Sequence, residues 1–364
     1  REASGRYRDG MAGTRPLRIG FVGTRFAGTD GVSLESEKWA DELRSMGHEI
    51  FYFAGVVDRP AEMSLEDPLA FFGHPDVVDI ADTVFRQATP GRPAATSRRM
   101  GEIAAHLKER LHEFVDTFEL DLLLPENALA IPMHLPLGMA ITRLAAETGM
   151  PVLAHHHDLS WERRRFLVNS VPDILRSTFP PPQPNVRHIC INSLQQEQIA
   201  LRLGRPARLI PNVMDFENPP PGPDGYPNRL RRELGVSDDE LFVLLPVRVV
   251  PRKGIEHGIE LASRLERPAK LVLSHEDGDE GDGYGDRERE YADLLGVQLI
   301  WAADRVAEDN RHDSEGRQLY TLADFYDAAD LMTYTSLVEG FGNAFLEGVY
   351  HRTPILVNRY PIYD

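Results

Sequence analysis

Cysteine is almost missing from this chain: Cys190 is the single one in 364 residues. A disulfide framework within the chain is excluded. The thiol sits in the apolar run His188-Ile-Cys-Ile191, where a buried structural side chain is expected, and a cytoplasmic setting follows as the default. No run of about 18 apolar residues exists, so no transmembrane segment is expected. Positive charge is in short supply, with 40 Lys and Arg against 57 Asp and Glu and a net charge of −17. That balance opposes nonspecific binding to nucleic acid or to an anionic membrane, so no nucleic-acid partner is expected. Glu162-Arg-Arg-Arg165 is the nearest approach to a basic surface, and it is short. A G-x-G-x-x-G fingerprint is also missing, and the second strand runs Phe51-Tyr-Phe-Ala54 with no acid at its end. Both absences argue against a dinucleotide-dependent oxidoreductase.

A soluble globular chain with room for two domains is what remains, at 42% hydrophobic and 27% charged residues. The start, 1–14, is polar and Gly/Arg-rich and reads as a disordered tail. Leu17–Gly23 reads as a strand, Ser33–Met46 as a helix stopped by Gly47, and Glu49–Phe53 as a second strand. Strands at Leu120–Leu124, Val152–His156, His188–Asn192 and Arg208–Ile210 follow, with helices at Met100–Phe118, Leu137–Thr148 and Ser193–Leu203 between them. Ser193 and Gln196 fit a capping box. Alternating strands and helices predict a doubly wound parallel sheet over 15–215. Proline and glycine crowd Asn218–Pro227, the best linker, placed at 216–237. A second α/β unit, 238–364, opens at Leu241–Val247. It continues with a helix at Ile255–Leu265 and strands at Leu271–Leu273, Val297–Ile300, Leu331–Thr335 and Ile355–Val357.

Glu339-Gly-Phe-Gly-Asn-Ala-Phe-Leu-Glu347 sets two carboxylates eight positions apart, across a glycine bend and the first turns of a helix running to about Tyr350. A strand, a glycine turn and a helix N-terminus bring backbone N–H groups and partial positive charge to one spot. That spot suits an anion or a sugar rich in hydroxyls. Glu347, about one turn into the helix, can reach back to a ribose, and Glu339 stands on the strand side of the bend. Val247-Arg-Val-Val-Pro-Arg-Lys-Gly254 follows another strand and precedes another helix. Arg248 and Lys253 would then stand where open α/β sheets bind ligands, able to neutralise a diphosphate; Arg252 reads as a bystander. Leu124-Pro-Glu-Asn127 ends a strand of the first domain, which makes Glu126 and Asn127 candidate acceptor contacts.

Three adjacent histidines, in Ala154-His-His-His-Asp158, invite a metal reading. Alternation along a strand turns His155 and His157 one way and His156 the other. No partner set with ligand spacing is found in the sequence, so no metal is expected. The acidic loop Asp277–Asp282 misses the calcium-loop pattern at Gly281 and Asp282 and reads as solvated.

Taken in order, these motifs resemble those of the retaining nucleotide-sugar glycosyltransferases of GT-B architecture, family 4 (group 1), over about Leu17 to Asp364. The resemblance implies an α/β protein of two Rossmann-like domains facing across a cleft, the first for the acceptor and the second for the donor. It implies transfer of a hexose, glucose or mannose, from a nucleoside diphosphate sugar to an acceptor hydroxyl, with retention at the anomeric carbon, no metal and no cofactor. The low basic charge favours a small soluble acceptor. Carried onto this chain, Arg248 and Lys253 hold the diphosphate. Glu339 and the segment Gly340, Phe341, Gly342 and Asn343 hold the sugar, and Glu347 holds the ribose. His157 contacts the sugar from the first domain, and Gly31, in the loop Gly28–Ser33, approaches the donor. Asp158 and Trp161 join Glu126 and Asn127 on the acceptor side. Ile210–Asp215 resembles the family's hinge segment, with Val213 and Met214 where Gly-Val is usual. The family's closing C-terminal helix has no counterpart before Asp364, so a truncated second domain is expected. Two other readings compete: a non-catalytic sugar-nucleotide-binding protein, and a nonhydrolysing sugar-nucleotide epimerase, whose acid/base carboxylates the sequence does not offer.

Overall fold

A computed structural model describes residues 15–28, 31–87, 89–218, 225–276 and 283–363. The tail 1–14, Thr29 and Asp30 of the first glycine loop, the linker centre 219–224 and the acidic loop Asp277–Asp282 lie outside the described residues. Two compact units divide between Pro211 and Asn212.

The first unit runs β1 (Arg18–Val22), α1 (Gly31–Ser45), β2 (Glu49–Ala54), β3 (Ser64–Glu66), α2 (Pro75–Ala81), α3 (Ala94–Thr117), β4 (Leu122–Pro125), α4 (Leu135–Thr148), β5 (Val152–His156), α5 (Pro172–Thr178), β6 (Val186–Cys190), α6 (Ser193–Leu203) and β7 (Ala207–Leu209). Its seven strands are ordered β3-β2-β1-β4-β5-β6-β7, every pair parallel. Residues alternate between faces, so Phe51 and Phe53 pack with Phe114 and Leu123 on one side. Ile50 and Tyr52 pack with Phe21 and Phe26 on the other. A parallel sheet covered on both sides needs this continuous apolar run. Gly149 and Gly204 close α4 and α6 with φ of 70° and 64°, a conformation glycine adopts without strain. The expected cap of α6 moves by one residue. Asn192, not Ser193, accepts the Gln195 amide at 2.8 Å through its side chain, as suits a residue still in extended backbone. Cys190 is buried, and burial pushes its thiol up to about 11.

The second unit runs α7 (Tyr226–Glu233), β8 (Leu241–Leu245), α8 (Ile255–Ser263), β9 (Ala269–Leu273), α9 (Tyr284–Leu295), β10 (Gln298–Trp301), α10 (Leu322–Ala328), β11 (Leu331–Tyr334), α11 (Asn343–Tyr350) and β12 (Ile355–Val357). Helix α7 stands inside the stretch 216–237 that proline and glycine content reads as linker. Its Leu230 is fully buried in the core of this unit. The five strands are parallel in the order β10-β9-β8-β11-β12. The chain moves outward from β8 through β9 to β10, then returns to pair β11 on the other side. Strand order therefore reverses between β8 and β11, and the loops leaving those two strands open a crevice at the sheet's C-terminal edge.

Glu288, on α9, is buried, and its Oε2 has no hydrogen-bond partner. Burial, with the Glu256 charge adding to it, raises its carboxyl from 4.5 to about 7. A raised acid favours folding below its unfolded pKa, and that advantage is lost as pH climbs through the folded value. Glu288→Gln is therefore expected to match the parent's melting temperature at pH 5 and to exceed it by about 2–4 °C at pH 8. Paired thermal melts at the two pH values check this.

Candidate functional site

The loop leaving β8 and the loop leaving β11 meet in the second unit. The Leu337 amide donates to the Arg252 carbonyl at 2.9 Å, and the Thr335 hydroxyl donates to the Lys253 carbonyl at 3.1 Å. Gly254 lies at the crossing with φ 61°, and a Cβ there would stand 2.6 Å from the Thr335 carbonyl oxygen. Only glycine satisfies both demands. The two loops place Lys253 and Glu339 side by side: the ammonium donates to the Glu339 carboxylate, with 12% and 7% of the two side chains exposed. Arg252, read from the sequence as a bystander to the ligand, stands 3.8 Å from the same carboxylate. Burial would push the Glu339 carboxyl up. Lys253 outweighs that and holds it below the usual range. Burial, aided by the Arg252 and Arg248 charges, draws the Lys253 ammonium downward against the pull of Glu339.

Arg248 is exposed on the same edge. Its charge and that of Lys253 reach His275, just past the end of β9. Burial and those two charges lower the His275 imidazole to about 4, so it stands neutral. Sequence reading missed His275; its one signal was position, the second residue past an apolar strand.

Helix α11 begins where expected, after Gly342, whose φ is 107° and whose Cβ position would lie 2.7 Å from the Tyr360 hydroxyl. The Asn343 side-chain oxygen accepts from the Asn212 side-chain amide at 2.8 Å, within the second unit. Gly340 and Phe341 are half-buried between Glu339 and the helix. Glu347 is half-buried one turn in, and the Tyr326 hydroxyl donates to its Oε2 at 2.7 Å. Tyr326 is itself sandwiched against His351 at 5.2 Å between ring centres, and His351 pairs with Asp327 at 2.9 Å. The orientation of Glu347 is therefore fixed from behind. In this unit the structure brings Arg248, Lys253, Glu339 and the start of α11 to one edge, with Glu347 one turn along.

In the first unit, β4 and β5 end beside each other. His155 and His157 lie on one face with ring centres 4.4 Å apart. His156 turns the other way to bond His188 at 2.9 Å, as alternation predicts. An acidic partner, which the sequence did not reveal, comes from just past β4. Glu126 Oε2 accepts from His155 Nδ1 and from His157 Nε2, each at 3.0 Å. Burial would raise this carboxyl, but the two histidines bring it down to about 2. Burial lowers and Glu126 more strongly raises His157, whose imidazole ends above its ordinary value with help from Asp158 and Glu35. Asn127 has a φ of 58°, and its side-chain oxygen accepts the His157 and Asp158 amides at 3.0 and 3.1 Å. Both candidate acceptor contacts, just past β4, thus position the end of β5.

Asp158 pairs with Arg163. Trp161 donates its indole N–H to Gln198 and lies under Arg202 at 4.6 Å. Its ring lines a lateral cavity of about 570 Å³ with Phe166, Phe179 and Arg176. Gly31 is exposed as the first residue of α1; the rest of its loop, Thr29 and Asp30, lies outside the described residues.

Two parallel doubly wound units, the second with buried and exposed cations at its topological switch point, have the GT-B architecture. No family model matches the chain. Mannosylglucosylglycerate synthase of Petrotoga mobilis is 30% identical over 370 aligned positions, covering 95% of this chain and 83% of that protein. The synthase of the same name from Thermotoga maritima is 29% identical, covering 95% and 82%. Among solved structures, Anabaena HepE in complex with UDP-glucose superposes with a TM-score of 0.60 at 16% identity, over 94% of this chain and 81% of that one. The chain belongs to the nucleotide-sugar glycosyltransferases of GT-B fold, family 4 (group 1), and is a glycosyltransferase. No helix among the described residues is long and apolar enough to cross a membrane.

Proposed function

We propose that the protein transfers a hexose, mannose in the first instance, from a nucleoside diphosphate sugar to a hydroxyl of glucosylglycerate, with retention at the anomeric carbon. The observation that carries the reading is the Lys253–Glu339 pair, buried where β8 and β11 part and set between Arg248 and the N-terminus of α11. The acceptor follows from the names of the two synthases, and the net charge of −17 suits a small soluble molecule better than a membrane lipid.

Arg248 and Lys253 neutralise the diphosphate, on which negative charge grows as the glycosidic bond breaks. Neutral His275 adds a hydrogen-bonding group beside them. Glu339, anchored by Lys253, and the backbone at Phe341–Asn343 orient the sugar. Glu347 offers the ribose the carboxylate oxygen that Tyr326 does not occupy. His157, with its ring fixed by Glu126, stands just past β5 in the first unit. The leaving phosphate oxygen accepts the proton of the attacking hydroxyl on the face it departs from, so retention needs no carboxylate nucleophile. The protein contributes orientation and charge stabilisation.

Glu347→Ala is expected to weaken nucleoside diphosphate binding about tenfold, with little change for inorganic diphosphate, which has no ribose. Calorimetric titrations with the two ligands separate the effects. The reaction itself is tested by incubating glucosylglycerate with the UDP and GDP forms of glucose and mannose. Mass spectrometry detects the product, and NMR assigns its anomeric configuration. The reading expects a disaccharide-bearing glycerate, one hexose larger than the acceptor, from one donor with its configuration kept. Donor binding without any turnover would favour a sugar-nucleotide-binding protein instead.

A further inference from the structure

We propose that Glu126, His155 and His157 form a binding site for one divalent transition cation of the zinc class. This goes beyond the glycosyl-transfer reading, in which no cation takes part. The three residues come from the adjoining ends of β4 and β5, all are buried, and their ligand atoms lie within 4.8 Å of one another. Among the described residues, this is the group of histidines and carboxylates so arranged.

The geometry is close to that of a metal site. Each imidazole nitrogen is 3.0 Å from Glu126 Oε2. Ligand atoms around a four-coordinate zinc, with bonds of about 2.0–2.1 Å, sit about 3.3 Å apart. The two nitrogen–oxygen separations need widen by only a few tenths of an ångström to reach that value, while the ligand set as a whole spans no more than 4.8 Å. Two imidazoles and one carboxylate also form the donor set that zinc takes in open sites, and it is a poor set for magnesium or calcium.

Without a cation the cluster is unbalanced. One oxygen of Glu126 serves two N–H donors, while its Oε1 is buried with no partner, as is His155 Nε2. Buried polar atoms without partners are rare and costly. A cation would draw on the unused acceptor capacity of the carboxylate. The surroundings are acidic as well: Glu35, which is 2% exposed and pairs with Lys38, and Asp158, which pairs with Arg163, both act on His157. The rings are held independently of the ion. Asn127 grips the His157 and Asp158 amides, and Trp39 packs over His155 at 4.5 Å between ring centres. Such surrounding contacts give a metal site its rigidity. Binding shifts each imidazole's proton to its other ring nitrogen, from Nδ1 to Nε2 in His155 and from Nε2 to Nδ1 in His157. His157 keeps its Nδ1 for other contacts.

The test uses the whole chain after dialysis against a chelator. Zinc is titrated calorimetrically, and cobalt is added in parallel to read coordination by its visible absorption. The expected result is one equivalent per chain, a four-coordinate cobalt spectrum and a melting temperature raised by about 5–10 °C at saturating zinc. His155→Ala and Glu126→Gln should lose all three. His156→Ala, whose ring faces His188, should keep the stoichiometry and the spectrum. The proposal is overturned if the wild type takes up no stoichiometric zinc, or if His155→Ala binds it as the wild type does. Nucleoside diphosphate binding on the same samples reports on the second unit alone, so failure here leaves the donor-site reading standing.

Discussion

Lys253→Ala is expected to reduce transfer by about 10²–10³-fold, the loss seen when one group that stabilises developing charge is removed. It should also abolish thermal stabilisation by nucleoside diphosphates. The substitution has a second consequence, because it strips the buried Glu339 carboxylate of its closest cation. Breaking a buried pair by removing one partner costs about 3–5 kcal/mol, and Arg252 at 3.8 Å can make up part of that. The two effects separate in the double variant Lys253→Ala with Glu339→Gln. An uncharged amide in place of the carboxylate should restore most of the melting temperature while ligand binding stays lost. Thermal melts with and without diphosphate, alongside turnover, measure both. Full activity in Lys253→Ala would remove this residue from the mechanism.

Gly254→Ala is expected to be nearly as damaging, through the backbone. An alanine in the left-handed region costs about 1–2 kcal/mol. Its Cβ would stand 2.6 Å from the Thr335 carbonyl oxygen, a main-chain atom with no rotamer to escape into, and overpacking of that kind costs about 1–3 kcal/mol more. The sum corresponds to a melting temperature about 5–15 °C lower. Because the same crossing of loops sets Lys253 beside Glu339, diphosphate affinity should fall at least about tenfold as well. Gly258 is the control. It lies inside α8, and its Cβ would meet nothing nearer than Leu245 at 3.4 Å. Gly258→Ala is expected to leave stability unchanged or slightly higher, since alanine is the better helix former. Equal losses in the two variants would show that the crossing has no special constraint.

The sequence exposes features that depend on local pattern. Strand β12 and helix α6 were bounded to the residue, at Ile355–Val357 and Ser193–Leu203, because apolar runs and terminal glycines fix such elements without tertiary help. The strand, glycine bend and helix around Glu339 and Glu347 follow from the same signals, and so does the split of His155 and His157 from His156. What was missed depends on residues distant in the chain. Glu126 joins His155 and His157 across 29 and 31 positions, and nothing in the spacing announces it. Arg252 looked interchangeable with any surface arginine until the β11 loop was laid against it. His275 stands two residues past an apolar strand with no pattern around it. Strand β3, Ser64–Glu66, is three residues long and mostly polar, so no periodicity could show it. Helix α7 was hidden by the prolines and glycines on its N-terminal side, although its apolar residues are packed into the core.

The central claim is that the C-terminal edge between β8 and β11 grips a nucleoside diphosphate. Isothermal titration of the wild-type chain with UDP and with GDP tests it most directly. The account predicts saturable one-to-one binding of at least one of the two and its loss in Lys253→Ala, with the variant's fold confirmed by circular dichroism. Silence from both nucleotides in a folded wild-type protein, or undiminished affinity in the folded variant, would contradict it.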